Sequence, residues 1–349
     1  MRKKIVILGH FGGKETFLDG QTIKTKIFYE ELSAIPDWEI FRIDTYEKKK
    51  NPVKLILSTL WHLSTKKDVV VLLSRNGRKF FFPILYYFAK VRKIRIYHSL
   101  IGAELGKQTQ DNPKFVQHLN AFVVNWVETS KLRDRLESHG VTNAECLPNF
   151  KRLQISPFEE NTPHEIPFRL CTFSRVMKEK GIEDAIEAVK YVNETMGKEV
   201  YSLDIYGQVD ATQTEWFDEL QKHFPSFVHY GGLVPYDQST AVLKTAFALL
   251  FPTQFYTEGI PGTIIDAYAA GIPVISAAWE NYRDVIDEGE TGLVYEFGNV
   301  KALQDLLLKI AENPQELWKL KQNCLKKAEQ FTPEPSVQKI IEKIDSFDR

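Results

Sequence analysis

Short apolar runs, too brief for helices and several of them followed by a longer segment of helical character, constrain this chain more than any other feature. KIVIL at residues 4–8 precedes a helical segment over 20–32, and further runs fall at 39–43, 68–73 and 94–99. A second series has runs at 168–173, 200–207 and 246–251, with a helix over 181–193 between the first two. Apolar runs of this length bounded by turn residues are buried strands, and strands that alternate with helices build parallel sheets covered on both faces. The expected fold class is therefore α/β with doubly wound sheets. At 349 residues the chain exceeds what one hydrophobic core usually organises, so two such domains are expected. We place the first at 1–150 and the second at 167–332. The polar, proline-bearing stretch 151–166 is the linker, and a last helix over 333–349 follows Thr332-Pro333-Glu334-Pro335.

The densest local signal is EGIPGTIIDAYAAGIPVIS, beginning at Glu258. Pro261 suits the first turn of a helix, Gly271 suits its end, and residues 273–276 read as the buried strand that follows. A helix from about Pro261 to Ala270 puts Gly262 at the positive N-terminal end, where unpaired N–H groups point outward. Asp266 lies four residues on, on the same face. Such a start seats a phosphate, Asp266 can accept hydrogen bonds from vicinal hydroxyls, and Glu258 can reach a hydroxylated group beyond the phosphates. A plainer reading, in which Glu258 caps a helix and Asp266 is a surface acid, stays open.

This acid, seven residues and second acid resemble the signature of family 4 of the retaining glycosyltransferases, which have the GT-B fold. Phe173-Ser174-Arg175-Val176-Met177-Lys178-Glu179-Lys180-Gly181 is similar to the family segment whose Arg and Lys clamp the donor diphosphate. Asp204-Ile205-Tyr206-Gly207 and Val228-His229-Tyr230-Gly231-Gly232 are similar to its strand-to-glycine step and its strand near the base. The family commonly has Glu where this chain has Asp266. The resemblance implies two Rossmann-like domains facing a central cleft, with the donor mostly on the second and the acceptor on the first. It implies a terminal helix that returns to the first domain. As catalytic residues it implies Glu258, Arg175, Lys180 and His98. As donor-binding residues it implies Gly12, Gly13, Arg175, Lys180, Gly207, Tyr230, Glu258, Gly259, Gly262, Thr263 and Asp266.

Alternatives stand beside several of these. Gly12 and Gly13 follow the first strand without spelling a Walker A or GxGxxG loop, and are either an approach point for phosphate or a tight turn. His98 is either near the donor sugar or a core residue, with Gly102 and Glu104 as the other candidates at that strand end. Arg175 and Lys180 would crowd a helix N-terminus whose dipole disfavours them, a cost that a bound anion would relieve.

Composition narrows the rest. No Asp-x-Asp or metal-ligand spacing is present, and Cys146, Cys171 and Cys324 are few and scattered. Neither a metal nor a cofactor beyond the nucleotide-sugar co-substrate is expected. No apolar run is long enough to span a bilayer, and MRKKIVILGHFGG leads into a strand, so a cytoplasmic protein is expected. The net charge of −1 conceals an uneven division. Residues 1–150 carry 25 Lys and Arg against 15 Asp and Glu, which leaves −11 on the remainder. Between Lys66 and Arg95 nine cations stand against the single acid Asp68, interleaved with FFFPILYYF. That mixture suits peripheral contact with the anionic inner face of a membrane, or an ordinary amphipathic helix with solvated charges. Stacking and helix-turn-helix patterns are missing, so nucleic acid is not an expected partner.

The expected activity is metal-independent, retaining transfer of a sugar from a nucleotide diphosphate donor, UDP-sugar favoured, to a hydroxyl acceptor. A lipid-linked saccharide in surface polysaccharide biosynthesis is one candidate acceptor. An epimerase or phosphorylase on the same architecture, a non-catalytic nucleotide-sugar-binding subunit and a polyanion binder remain alternatives.

Overall fold

The computed structural model describes residues 2–15, 20–101, 105–158, 165–235 and 238–347. The chain divides into two compact units, residues 1–152 with 332–349 and residues 153–331. The strands are β1 (Lys3–Gly9), β2 (Trp38–Asp44), β3 (Asp68–Leu72), β4 (Arg95–Ser99), β5 (Val124–Val127) and β6 (Ala144–Cys146) in the first unit. In the second they are β7 (Phe168–Phe173), β8 (Tyr201–Tyr206), β9 (Val228–Gly232), β10 (Ala248–Phe251), β11 (Val274–Ala277) and β12 (Gly292–Tyr295). The helices are α1 (Gly20–Ser33), α2 (Pro52–Thr65), α3 (Arg75–Val91), α4 (Leu105–Thr109), α5 (Pro113–Asn120), α6 (Ser130–Ser138) and α7 (Ile182–Met196). They continue with α8 (Thr214–Lys222), α9 (Ser239–Leu243), α10 (Gly262–Ala269), α11 (Val300–Glu312), α12 (Gln315–Trp318), α13 (Lys321–Ala328) and α14 (Pro333–Asp345).

Among the described residues each unit holds one six-stranded parallel sheet, with orders β2-β1-β3-β4-β5-β6 and β12-β11-β10-β7-β8-β9. The expected α/β class is therefore the one observed. The cause is visible in β3, where Val69, Val70 and Val71 are all inaccessible to solvent. A strand covered on both faces needs consecutive, not alternating, apolar residues. In the second sheet the chain starts at β7, winds outward through β8 and β9, then returns to lay β10, β11 and β12 on the other side. The order thus reverses between β7 and β10, and in the first sheet between β1 and β3. Such switch points, at the carboxyl ends of the strands, are where open sheets leave room for a ligand.

Element ends follow local chemistry. Helix α7 starts at Ile182 rather than at Gly181, which sits at φ 71 in the left-handed region, and Gly197 at φ 65 stops it. Helix α10 starts at Gly262 with Pro261 as its N-cap rather than its first helical residue. Helix α2 has no counterpart among the sequence expectations. Its start is marked by Asn51, whose side chain accepts from the Lys54 N–H, and by Pro52 in the first turn.

Helix α14 packs within the first unit, where Ile340 and Ile344 join Ile5, Ile7 and Phe28 in one core and Lys3 Nζ lies 2.5 Å from Asp345. Within the stretch 151–166, Leu153 and Ile155 pack on the core of the second unit, and the Ser156 N–H donates to Ala269 O at 2.8 Å. Residues 159–164 of that stretch, and 348 and 349 at the end, lie outside the described residues.

Asn193, buried on α7, ties its helix to β8. Its Oδ1 accepts from the N–H groups of Val200 and Tyr201 at 2.8 and 2.9 Å, and its Nδ2 donates to Tyr201 O at 2.9 Å. Replacing it with Leu leaves two buried amides and a carbonyl without partners. An unpaired buried group costs about 1–3 kcal/mol. Asn193→Leu is expected to destabilise the chain by about 3 kcal/mol or more in urea unfolding. A loss below about 1 kcal/mol would mean that the tie does not hold α7 to the sheet.

Candidate functional site

The backbone at the β7/β10 switch point is set by two glycines. A Cβ on Gly181 would stand 1.9 Å from Pro252 O, so the turn after β7 and the loop after β10 touch through backbone alone. Gly207, at φ 134 after β8, is similarly pressed against Ser174, whose carbonyl oxygen would be 1.8 Å from a Cβ. Side chains larger than hydrogen fit at neither position.

This approach carries Lys180, in the short 3₁₀ turn Lys178–Lys180, to the loop that holds Glu258. The Lys180 ammonium is bonded to the Glu258 carboxylate, with side chains 14% and 22% exposed. Lys180 also lies 5.0 Å from the centre of the Phe255 ring and 5.8 Å from that of Phe251. The Glu258 loop is fixed from several sides. The Asn281 Nδ2 donates to Glu258 O at 2.6 Å, Thr253 Oγ1 to Glu258 Oε2 at 3.4 Å, and the Gln254 N–H to Glu179 O at 2.9 Å. A largely covered cation beside a largely covered carboxylate is a pair that an incoming oxyanion can reopen.

Helix α10 begins directly after this loop. Its N-cap is Pro261, which offers no side-chain cap, and space around Gly262 is open. No side chain caps the N–H groups of Gly262 and Thr263, while the Ile264 N–H donates to Pro261 O at 3.1 Å, and Thr263 Oγ1 is buried with no hydrogen-bond partner. Asp266, one turn on, is 6% exposed, so it is an interior acid and not a surface one. Gly259, half-buried, lies between Glu258 and the helix start.

Arg175 extends on the β8 side with its side chain 65% exposed, and its Nη1 lies 3.4 Å from Asp210 Oδ2. Thr212 holds Asp210 through both its backbone N–H, at 3.0 Å, and its hydroxyl, at 2.7 Å. Those bonds, with Arg175, keep the Asp210 carboxyl below its ordinary range. The crowding expected of Arg175 and Lys180 at a helix N-terminus is therefore relieved within the protein, by Asp210 and Glu258. Tyr230 donates its hydroxyl to Gly207 O at 2.8 Å and packs on Phe217, so it braces the β8 turn.

The other expected residues belong to the first unit. Gly12 and Gly13 have φ of 82 and 62. The loop's amides turn onto the Asp44 carboxylate, which accepts from the Phe11 N–H at 2.9 Å and the Gly13 N–H at 2.8 Å. An internal carboxylate thus occupies the Gly13 donor that the sequence reading offered to phosphate. His98 is a correction. It is wholly inaccessible on β4, wedged against Phe82 and Phe122, with Nδ1 3.0 Å from Asn125 Oδ1. Asn125 Nδ2 is committed to Leu119 O and Asn143 Oδ1, so its oxygen faces His98 and Nδ1 carries the ring proton. Nε2 is left without a partner. His98 is a core residue, and Gly102 and Glu104 lie outside the described residues.

At the β1/β3 switch point of this unit a pocket of about 510 Å³ opens, lined among others by His10, Gln21, Lys48, Leu55, Ile56 and Phe80. The sequence reading missed it because its wall joins α2 to residues of α1, α3 and the strand ends that lie far apart in the chain. It also missed Asp210, Thr253 and Asn281. Asp210 carried a signal in standing three residues beyond Gly207.

Comparison with known proteins bears on these sites. The family description "Glycosyl transferases group 1" matches residues 157–331, nearly all of the second unit. The chain is 26% identical over 174 residues to the amylovoran biosynthesis glycosyltransferase AmsK of Erwinia amylovora, a match covering 47% of this chain and 42% of that one. The matched stretch is thus less than half of that relative's length. Among solved structures, Anabaena Alr3699/HepE in complex with UDP and glucose superposes with TM-score 0.69 at 14% identity, over 99% of this chain and 100% of that chain. Sucrose-phosphate synthase of Thermosynechococcus elongatus gives 0.71 at 14% identity, over 99% of both. These likenesses are of fold, the α/β GT-B architecture.

The interior position of His98 has a pH signature. Burial, and then the Arg78 charge, hold its pKa down at about 3 against an ordinary 6.5. Well above the ordinary value neither folded nor unfolded chain binds the proton. As pH falls below it, the unfolded chain takes up a proton that the native state refuses, and stability is lost until about pH 3. Urea unfolding at neutral pH and near pH 4 should show His98→Gln losing less stability on acidification than the parent chain. Equal losses would mean that His98 ionises in the native state.

Proposed function

The chain belongs to the family described as glycosyl transferases group 1, and on that premise we propose that it is a retaining glycosyltransferase of family 4 type. The donor is a nucleotide diphosphate sugar, UDP-linked in preference, and the acceptor is a hydroxyl. The observation that carries this reading is the Lys180–Glu258 pair beside the uncapped start of α10, at the β7/β10 switch point. The UDP complex of the structural neighbour supports the choice of base.

On this reading the donor diphosphate takes over the Lys180 ammonium and lies against the N–H groups of Gly262 and Thr263. Arg175, held loosely on Asp210, swings to the same phosphates. Glu258, released from Lys180, receives a hydroxyl of the donor sugar, and Asp266 receives the ribose. In the transfer step the bond between anomeric carbon and phosphate oxygen breaks, and the acceptor oxygen bonds to that carbon on the same face. The acceptor proton passes to the departing phosphate. Lys180, Arg175 and the helix start stabilise the charge that grows there, the electrostatic contribution that usually dominates such steps. Three positive elements already meet that charge, so divalent metal is dispensable in this scheme. The pocket at the β1/β3 switch point, with Leu55, Ile56 and Phe80 in its wall, suits an acceptor with an apolar portion, such as a lipid-linked saccharide.

Nucleotide release from UDP-, GDP- and ADP-sugars, with chelator present throughout, tests the proposal. One donor should be hydrolysed slowly, and Glu258→Ala should abolish that release. Lys180→Ala should lower it by about 10²–10³-fold, the usual effect of removing one transition-state donor. With an acceptor in hand, NMR of the product should show the donor's anomeric configuration retained. Donors that all stay intact and leave the melting temperature unchanged would overturn the donor-site reading, and an inverted product would overturn retention.

A further inference from the structure

Helix α2 buries one face and leaves a second apolar face outside, with Lys54, Ser58, His62 and Thr65 on a side between them. Leu55, Thr59 and Leu63 turn inward. On the opposite side Val53, Leu57, Leu60 and Trp61 face outward, with Leu57 62% and Trp61 57% exposed. A helix of that composition ordinarily has both faces covered. The neighbouring helix α3 continues the pattern. Phe81, Phe82, Leu85 and Phe88 are in the core, whereas Phe80, Tyr87 and Val91 form an exposed stripe at helical spacing.

The two stripes adjoin. At one end Phe80 and Gly77 share the wall of the pocket described above with Pro52 and Ile56. At the other, Arg92 Nη2 donates to Ser64 O at 2.7 Å. The helices therefore run side by side in the same direction, with one apolar band across both.

Cations surround this band. Residues 48–93 hold 12 Lys and Arg, of which Arg78 is buried, and one acid, Asp68, which is covered and bound to Arg95. The Lys66 ammonium lies 5.0 Å from the centre of the Trp61 ring and 4.7 Å from that of Phe41, so it rests against both aromatic faces. A second copy of the chain is a poor occupant, because a twofold contact would set this cationic rim against itself. An apolar band with aromatic residues and a cationic margin matches the boundary between acyl chains and anionic headgroups.

We propose that the α2–α3 face docks the chain on an anionic lipid bilayer, lying in the interface and not crossing it. No described helix is long and apolar enough to cross. Docking would present the pocket, whose wall shares Ile56 and Phe80 with the band, to molecules held in that bilayer. The inference concerns the first unit and does not rest on the transferase reading.

Flotation of the full chain with phosphatidylcholine vesicles, with and without phosphatidylglycerol, tests it. The chain should float with the anionic vesicles alone, less so as salt rises. Leu57→Ser/Trp61→Ser should reduce the bound fraction by about tenfold or more. Its circular dichroism and melting temperature should not change, because both side chains face outward. Lys66→Glu/Lys67→Glu, which leaves the apolar band intact, should weaken binding to the anionic vesicles. Failure of the parent chain to float, or flotation unchanged by Leu57→Ser/Trp61→Ser, would overturn the proposal. So would a dimer in light scattering that this double variant dissolves while no lipid is bound, which would assign the face to a second copy.

Discussion

The contact between Gly181 and the carbonyl of Pro252 is the constraint on which the second unit's candidate site depends. Parallel strands deliver their carboxyl ends to one edge of a sheet, but a switch point leaves the two neighbouring exits free to diverge. Here they cannot, because the turn after β7 reaches the loop after β10 where a Cβ would stand 1.9 Å from an oxygen. Closing that gap puts Lys180 on Glu258, and the bond from Asn281 to the Glu258 carbonyl keeps the loop in register with the start of α10. The charges at this edge are then organised by backbone geometry, not by long side chains finding one another from flexible positions.

The pairing also changes how the cations should be regarded. From the sequence, Arg175 and Lys180 looked like two charges with an energetic cost at a helix start. In the fold neither carries one, since Asp210 and Glu258 neutralise them. The two pairs differ in kind. Arg175 is mostly exposed and its 3.4 Å contact is a loose surface pair, which contributes little to stability. Lys180 and Glu258 are largely covered, and removing either partner strands the other in a poorly solvated place. An anion that displaces Glu258 must therefore also supply Glu258 with something to bond, and a sugar hydroxyl is a chemically suitable partner.

How far these arrangements could be read in advance depended on whether a signal was local. DVVVL and FRLCTF specify buried strands by themselves, because a strand covered on both faces has only one way of being written. EGIPGTIID places an acid, a turn and a helix start within one short stretch, so the position of Glu258 near Gly262 was legible. The Asp210 contact was not, because it depends on Gly207 folding back onto Ser174, which joins segments more than thirty residues apart. His98 was ambiguous for a related reason. Its strand position was evident, but whether the ring faced solvent or Phe82 and Phe122 was decided by side chains on other elements. Asp44 turning its carboxylate onto the Gly13 amide is another such long-range substitution, a side chain occupying a donor that the sequence leaves open.

The basic first half shows the same limit in its charge distribution. The sequence located positive charge and aromatic residues between Lys66 and Arg95, and the two simplest explanations, a core helix and an interaction surface, looked like competitors. They are compatible in the fold, because α3 closes the core with one face and leaves another exposed. Phe81, Phe82, Leu85 and Phe88 close the core while Phe80, Tyr87 and Val91 remain outside. Helix α2, overlooked because its apolar residues fall on two faces and mark no single stripe, is what adds exposed aliphatic residues and Trp61 beside those of α3. A lone exposed leucine needs no explanation, but two adjacent helices that each leave a whole stripe uncovered do. The single acid within that stretch of twelve cations is withdrawn onto Arg95. Between residues 48 and 93 no acid is therefore left exposed.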